Sequence, residues 1–183
     1  MKSTMKIVSV AIALFALAIF ALPLSAQQDK SKRPSPPASA QFTFPDGKTL
    51  KIDYSSPRMK GRKIYGGLVP YGQVWRVGAN EATTFVTDTD LMVGDKEVPA
   101  GSYTIFAIPE EGKWTLIISK KTGEWGIPYP GEQFDFARTI MQVQKLESPL
   151  EDFTISLVKA GDGCSMNFDW DVTRATIQIT EKK

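Results

Sequence analysis

Five cationic side chains lie between Tyr54 and Asn80, in a stretch that contains no acidic residue. They are Arg58, Lys60, Arg62, Lys63 and Arg76. Each arginine presents a planar fork of donors that matches a carboxylate, a phosphate or a sulfate. Arg58, Arg62 and Arg76 are therefore predicted as ligand-binding residues that could converge on one small anion.

The same arginines have a second interpretation, in which they hold a long loop against the fold. An arginine fork pairs as well with a carboxylate of its own chain as with a ligand. The acids available for such pairs include Glu81, Asp53, Asp169 and Asp171. The sequence leaves both interpretations open.

Asn80 and Glu81 follow the cationic stretch, close to Trp75, and could hydrogen-bond a polar ligand. A glycoside hydrolase would need two carboxylates about 5 to 10 Å apart. Glu81 with a second acid, such as Asp53 or Glu124, is the hydrolase hypothesis. The plainer alternative makes Asn80 a turn residue and Glu81 a salt-bridge partner.

Aromatic residues cluster in two places, around Trp75 and around Trp125. If the two segments meet, they would form a cleft with flat apolar faces and cationic donors, which suits a saccharide-like or anionic ligand. Trp125 stands between Glu124 and Gly126 and is predicted to be exposed. Trp114 and Trp170 stand in alternating strand patterns and are predicted to be core residues.

The chain of 183 residues begins with features typical of an export signal. Lys2 and Lys6 precede an apolar run that closes at Ala26, so residues 1–26 are predicted as a cleaved signal peptide. An exported protein, periplasmic or secreted, with no stable membrane insertion after cleavage is expected. Cleavage of the signal peptide removes two lysines and leaves 20 basic and 20 acidic residues. This balance does not favour nucleic acid as a partner.

Residues 27–40 are rich in Ser, Pro and charge and are predicted as a flexible linker. Residues 41–183 carry about ten short strand patterns separated by turn residues, with no amphipathic helix. Short connections between such strands favour antiparallel pairing. The predicted fold is therefore a single all-β domain, an antiparallel β-sandwich of jelly-roll type.

Cysteine and histidine counts narrow the chemistry further. The chain has no histidine, which excludes His-containing triads and His-ligated zinc. Cys164, the single cysteine, lies in an alternating strand pattern and is predicted as a buried, unreactive thiol. Asp88, Asp90, Asp169 and Asp171 lack the spacing of a calcium loop and are predicted as surface residues, so no metal or other cofactor is expected.

The stretch SPRMKGRKIYGGLVPYGQVWRVGANEATTF, followed by VPAGSYTIFAIP, KWTLIISK and FDWDVTR, resembles the bacterial family called domain of unknown function 2911. The resemblance covers most of the chain after the leader. It implies an exported β-rich domain, and it carries over no catalytic residue.

Three functional hypotheses follow from these observations. The favoured one is a non-enzymatic binding domain for an anionic or saccharide-like ligand, with the site at Arg58, Arg62, Trp75, Arg76, Asn80, Glu81 and Trp125. The second is a carbohydrate hydrolase that uses Glu81. The third is a structural module of the cell envelope without a small-molecule site.

Overall fold

A computed structural model describes residues 29–183 of the chain. The predicted signal peptide lies outside the described residues. The strands are β1 (Pro37–Thr43), β2 (Thr49–Ser55), β3 (Thr84–Thr87), β4 (Leu91–Val93), β5 (Lys96–Val98), β6 (Gly101–Pro109), β7 (Lys113–Ser119), β8 (Asp135–Ala160) and β9 (Gly163–Glu181). Two three-residue 3-10 helices, Lys30–Lys32 and Glu132–Phe134, are the helical segments of this part of the chain.

The strands pair antiparallel in one sheet, in the order β1-β2-β3-β6-β7-β8-β9-β4-β5. The prediction of an all-β, antiparallel fold is confirmed. Alternating burial along β2 and β4 follows the apolar alternation of the sequence, because successive side chains of a strand point to opposite faces. The sheet is open, with β1 and β5 at its two edges.

One hydrophobic core collects side chains from strands β2 to β9, so the sheet curves around it. Its largest fully buried members include Trp114, Trp170, Phe85, Phe153 and Phe168. The predicted core positions of Trp114 and Trp170 are confirmed. Cys164 is also buried as predicted, and burial raises the pKa of its thiol to about 12, so the reactive thiolate is scarce at neutral pH.

A second, smaller cluster on the other side of β6 and β7 buries Phe106, Ile117 and Ala82. Tyr129, from the segment between β7 and β8, packs edge-on against Phe106 with ring centroids 5.1 Å apart. This cluster fastens that segment to the outer face of the sheet.

Two strands, β8 with 26 residues and β9 with 19, replace four of the short strands that the sequence predicts. β9 continues through Asp171, where a φ of 52° breaks the alternation without ending the strand. Side-chain hydrogen bonds link residues before this point to residues after it, namely Gln178 to Ser165, Thr176 to Asn167 and Arg174 to Asp169. The two halves of β9 therefore face each other across a sharp bend.

Two expectations need correction. β1 begins at Pro37, inside the range predicted as a flexible linker, because its residues pair in register with β2 from Pro37↔Ser55 onward. Asp169, predicted to lie on the surface, is only 4% exposed. Arg174 compensates the buried charge of the Asp169 carboxylate by donating two hydrogen bonds to it, of 2.7 and 2.6 Å.

Candidate functional site

Two long segments leave the sheet at neighbouring strand ends. We call residues 56–83, between β2 and β3, the basic loop, and residues 120–134, between β7 and β8, the aromatic loop. Their strand ends are neighbours, because Asp53 pairs with Thr84, Thr84 with Thr104, and Thr104 with Ser119. The topology thus brings together the two segments that carry the predicted site.

Trp75 anchors the basic loop to the sheet. Its backbone exchanges two hydrogen bonds of 2.8 Å with Ala107 on β6, and its indole N–H donates to the carbonyl of Gly78 at 3.2 Å. The ring stacks on Trp170 with centroids 6.1 Å apart and meets Phe153 edge-on at 5.0 Å. Trp75 is therefore part of the packing of the molecule as well as part of the predicted site.

A cleft of about 290 Å³ lies beside Trp75, between the basic loop, the tip of the aromatic loop and the N-terminal segment. Apolar residues and two arginines line it, and none of the lining residues is acidic. The lining residues are Ser35, Pro57, Arg62, Leu68, Val69, Trp75, Arg76, Gly78, Ala79, Ile127 and Trp170. A second cavity of about 330 Å³ shares Ser35 and Arg62 with it and adds Arg58, Lys60 and Pro34.

Arg76 is the arginine that joins the two loops. Its Nη1 donates to the carbonyls of Asn80 at 2.5 Å and Trp125 at 3.0 Å, and its guanidinium lies 5.6 Å from the centroid of the Trp125 ring. Burial lowers the pKa of Arg76, and the charge of Glu81 opposes that shift. Partial desolvation leaves this cation ready to pair with an anion in the cleft.

Arg62 is fixed by the backbone of its own loop. Its Nε donates to the carbonyl of Met59 at 3.0 Å and its Nη2 to the carbonyl of Arg58 at 2.6 Å. These bonds set the direction of the guanidinium, and Arg62 is a lining residue of both cavities. Arg62 thus reaches the cleft without pairing to a carboxylate among the described residues.

Arg58 is the one predicted arginine that pairs with an acid. Its Nε lies 3.1 Å from Oδ1 of Asp152 on β8, and both side chains are about half exposed. Asp152 was not among the expected partners, because nothing in the sequence brings β8 beside the basic loop. Arg58 therefore fits the interpretation in which an arginine holds the loop, whereas Arg62 and Arg76 have no carboxylate within salt-bridge distance among the described residues.

Asn80 and Glu81 contact the N-terminal segment rather than the cleft. Arg33 Nη1 donates to both carboxylate oxygens of Glu81, at 3.0 and 2.9 Å, and Lys30 Nζ lies 3.0 Å from Oε1. Asn80 Nδ2 donates to the carbonyl of Ser35 at 2.9 Å. These contacts hold the N-terminal segment, residues 30–35, against the basic loop, and Ser35 lines the cleft.

The pKa of Glu81 falls to about 2. The largest cause is the hydrogen bond from its own backbone N–H, followed by the bonds from Lys30 and Arg33. A carboxyl group with so low a pKa is ionised at neutral pH and cannot serve there as a general acid.

Trp125 is exposed, as predicted, with 53% of its surface accessible. It contacts the site through Arg76, while its neighbour Ile127 lines the cleft directly. Sequence reasoning missed Ser35, Leu68 and Ile127. An isolated serine or aliphatic residue carries no chemical signal, and Ser35 fell in a segment whose composition indicated a linker.

The turn after Arg76 has a strained backbone. Val77 has a φ of 54° and Asn80 a φ of 56°, and positive values are unfavourable for a β-branched residue. Full burial of Val77 and a 2.6 Å hydrogen bond from Thr83 Oγ1 to its carbonyl compensate this cost. Gly78 fits where a Cβ would lie 2.9 Å from the carbonyl oxygen of Ser55. This turn holds Arg76 where it bonds to the carbonyls of Asn80 and Trp125.

Within residues 29–183, no three His, Cys, Asp or Glu side chains cluster closely enough to hold a metal ion. In the same part of the chain, no helix has the length and hydropathy needed to cross a bilayer.

Fold and site together define the class: an all-β antiparallel domain with a cationic, tryptophan-walled cleft between two loops. Residues 35–179 match the model of a family described as a protein of unknown function, DUF2911, and the chain belongs to that family. No match to the chain was found among the curated proteins or among the solved structures.

Proposed function

We propose that this protein is a non-enzymatic binding domain for a small organic anion, whose acidic group lies between Arg62 and Arg76 and whose body lies against Trp75. The observation that carries the proposal is the composition of the cleft, which combines two guanidinium groups with apolar walls and has no acid in its lining. Such a lining attracts a negative charge and excludes water from the rest of the ligand.

Unused hydrogen-bond donors of Arg62 and Arg76 support the proposal that the ligand is an anion. The hydrogen bonds of Arg76 within the described residues use Nη1, which leaves Nε and Nη2 available, and those of Arg62 leave Nη1 available. Charge-assisted bonds from arginine to a carboxylate or phosphate are stronger than neutral ones. An anion would also offset the desolvation of Arg76.

Size limits the ligand. A cleft of about 290 Å³ is at the lower end of the range for small-molecule pockets, which is roughly 300 to 1,000 Å³. Leu68, Val69 and Ile127 complete the apolar wall around Trp75. An aromatic or short aliphatic acid fits this description, and so does an acidic monosaccharide, whose ring can lie against an indole.

The hydrolase alternative depends on Glu81 and a second acid. Glu81 is engaged by Arg33 and Lys30 and stays ionised at neutral pH, and the cleft lining contains no carboxylate. Glycosidases use one acid of raised pKa together with a second carboxylate. These observations favour binding over hydrolysis.

Thermal unfolding with a panel of probes tests the proposal. The panel contains phosphate, benzoate, hexanoate, a uronic acid and neutral glucose. At a concentration about 100 times its Kd, a bound ligand adds roughly 2.7 kcal/mol to the free energy of unfolding. For a chain of this size that stabilisation raises Tm by several degrees. We expect the organic acids to stabilise and glucose to have no effect.

Arg62→Gln and Arg76→Gln should each remove most of this stabilisation, while Lys51→Gln, on β2 and paired with Asp53, should retain it. Stabilisation by glucose alone, or an equal response of all three variants, would contradict an anion site in this cleft.

A further inference from the structure

Four large apolar side chains are exposed on the basic and aromatic loops. They are Leu68 (46% exposed), Tyr71 (42%), Trp125 (53%) and Ile127 (64%), which we call the apolar rim. Large apolar groups grouped on a surface commonly mark a site of protein or membrane interaction.

The apolar rim has members on both loops. Leu68 of the basic loop and Ile127 of the aromatic loop line the same cleft. The guanidinium of Arg76 lies over the ring of Trp125. Tyr71 packs over Gly66, where a Cβ would meet its ring at 3.1 Å. The tip of the basic loop and the tip of the aromatic loop therefore present one surface.

Cations flank the rim. Arg58, Lys60, Arg62 and Lys63 are exposed on the basic loop, and Arg76 lies between the loops. Among these five, and within the described residues, Arg58 alone has a carboxylate within salt-bridge distance, that of Asp152. The acids close by are Asp152, Glu151, which accepts from the backbone N–H of Lys60, Glu124, which pairs with Lys121, and Glu81, which pairs with Lys30 and Arg33. The surface keeps an excess of positive charge.

We infer that the apolar rim and its cations dock this domain on an anionic lipid surface. Tryptophan and tyrosine favour the headgroup region of a bilayer, aliphatic side chains favour the region beneath it, and lysines and arginines bind anionic headgroups. The docking is peripheral, made by loop tips, and it goes beyond the binding of a small anion in the cleft.

Lipid fits this surface better than a protein partner does. Interfaces between proteins are depleted of lysine relative to the rest of the surface. Here Lys60 and Lys63 lie on the same loop as the apolar tips, and Lys63 adjoins Gly66 beneath Tyr71. Alternation of exposed aromatic residues and cations is the pattern of a surface that binds charged headgroups.

Sedimentation with lipid vesicles tests the inference. The protein is isolated from cells that express the full chain, and its N-terminus is established from its intact mass. Vesicles of phosphatidylcholine alone are compared with vesicles containing roughly one third phosphatidylglycerol, at about 0.01 M and 1 M NaCl, where the Debye length is about 30 and 3 Å. We expect binding to the anionic vesicles at low salt and its loss at high salt.

Two double variants leave the lining of the 290 Å³ cleft intact. Lys60→Gln with Lys63→Gln should lower the partition coefficient by roughly tenfold or more, since each cation near an anionic surface contributes about fivefold. Tyr71→Ser with Trp125→Ser should lower it by about tenfold through loss of apolar insertion.

Matched controls come from exposed residues outside both loops. Ile140→Ser with Val158→Ser removes two exposed apolar side chains of β8, and Lys48→Gln with Lys159→Gln removes two exposed lysines. Both controls should bind vesicles like the parent protein. Absence of binding to anionic vesicles, or binding that both loop variants retain in full, overturns the inference, and so does equal binding to neutral vesicles. Loss of vesicle binding by the Lys60→Gln, Lys63→Gln variant with unchanged stabilisation by organic acids would separate this surface from the cleft.

Discussion

At the scale of single residues, environment rather than residue type decides what each predicted site residue does. Arg62 and Arg76 bond to backbone carbonyls and line the cleft, whereas Arg58 pairs with Asp152. Glu81 is turned toward Arg33 instead of toward the cleft. The same chemical group can thus line a cleft at one position and pair with an acid at another.

Glu81 gives a residue-scale prediction of pH dependence. Its pKa is about 2 in the folded chain and near 4.5 when unfolded, so the stabilisation is fully present above about pH 4.5 and is lost as the pH falls toward 2. We expect Glu81→Gln to lower the free energy of unfolding by roughly 1 kcal/mol at pH 7, a small value because the pair is partly exposed and screened by solvent.

Urea denaturation of Glu81→Gln and of the parent protein at a series of pH values measures this difference. The two curves should converge near pH 2. A difference that persists unchanged at pH 2 would show that the carboxylate acts through something other than its charge.

At the scale of elements, β9 depends on the polar contacts across its bend. Asp169 and Arg174 form the strongest of these, since Asp169 is buried and Arg174 approaches it with two donors. Hydrogen bonding to Asp169 raises the pKa of Arg174, and desolvation opposes that effect. The bend therefore places a charge pair where the sequence pattern indicated a solvated strand face.

Asp169→Asn should destabilise the fold by about 2 to 3 kcal/mol, because it leaves Arg174 without its partner in a mostly buried position. Gln178→Ala breaks an exposed contact of the same bend, with Ser165, and should cost less than about 0.5 kcal/mol. Urea denaturation compares the two variants. Equal losses would mean that the ion pair does not stabilise the bend.

At the scale of the whole molecule, the basic loop is part of the folded core rather than an appendage. Trp75 contacts Trp170 of β9 and Phe153 of β8, so the loop links distant strands. The chain before β1 also contacts this loop, since the Ser56 N–H donates to the carbonyl of Pro36 at 2.9 Å. Cleft and core share the side chains of Trp75 and Trp170, so the rigidity of the core extends to the cleft.

The two tryptophans of the predicted site should behave differently on truncation. Trp75→Ala should lower the free energy of unfolding by about 3 kcal/mol or more, because it empties a space among aromatic rings. Trp125→Ala should change it by less than about 0.5 kcal/mol, since the ring is mostly exposed. Thermal and urea unfolding measure both, and a large loss for Trp125 would contradict the exposed position of its loop.

Sequence by itself determined the antiparallel all-β class, the core positions of Trp114 and Trp170, the burial of Cys164 and the exposure of Trp125. These follow from alternation and turn residues, which are local properties of the chain. It also marked the two loops, because long irregular segments stand out between short strands.

Only the tertiary structure decided which groups meet. The pairing of Arg58 with Asp152 spans 94 positions of the chain, and that of Arg33 with Glu81 spans 48. The order of strands in the sheet determines such pairs, and the alternation of polar and apolar side chains along each strand does not specify that order. For the same reason the sequence could mark Arg62 and Arg76 but could not show that they share a cleft with Ser35, Leu68 and Ile127.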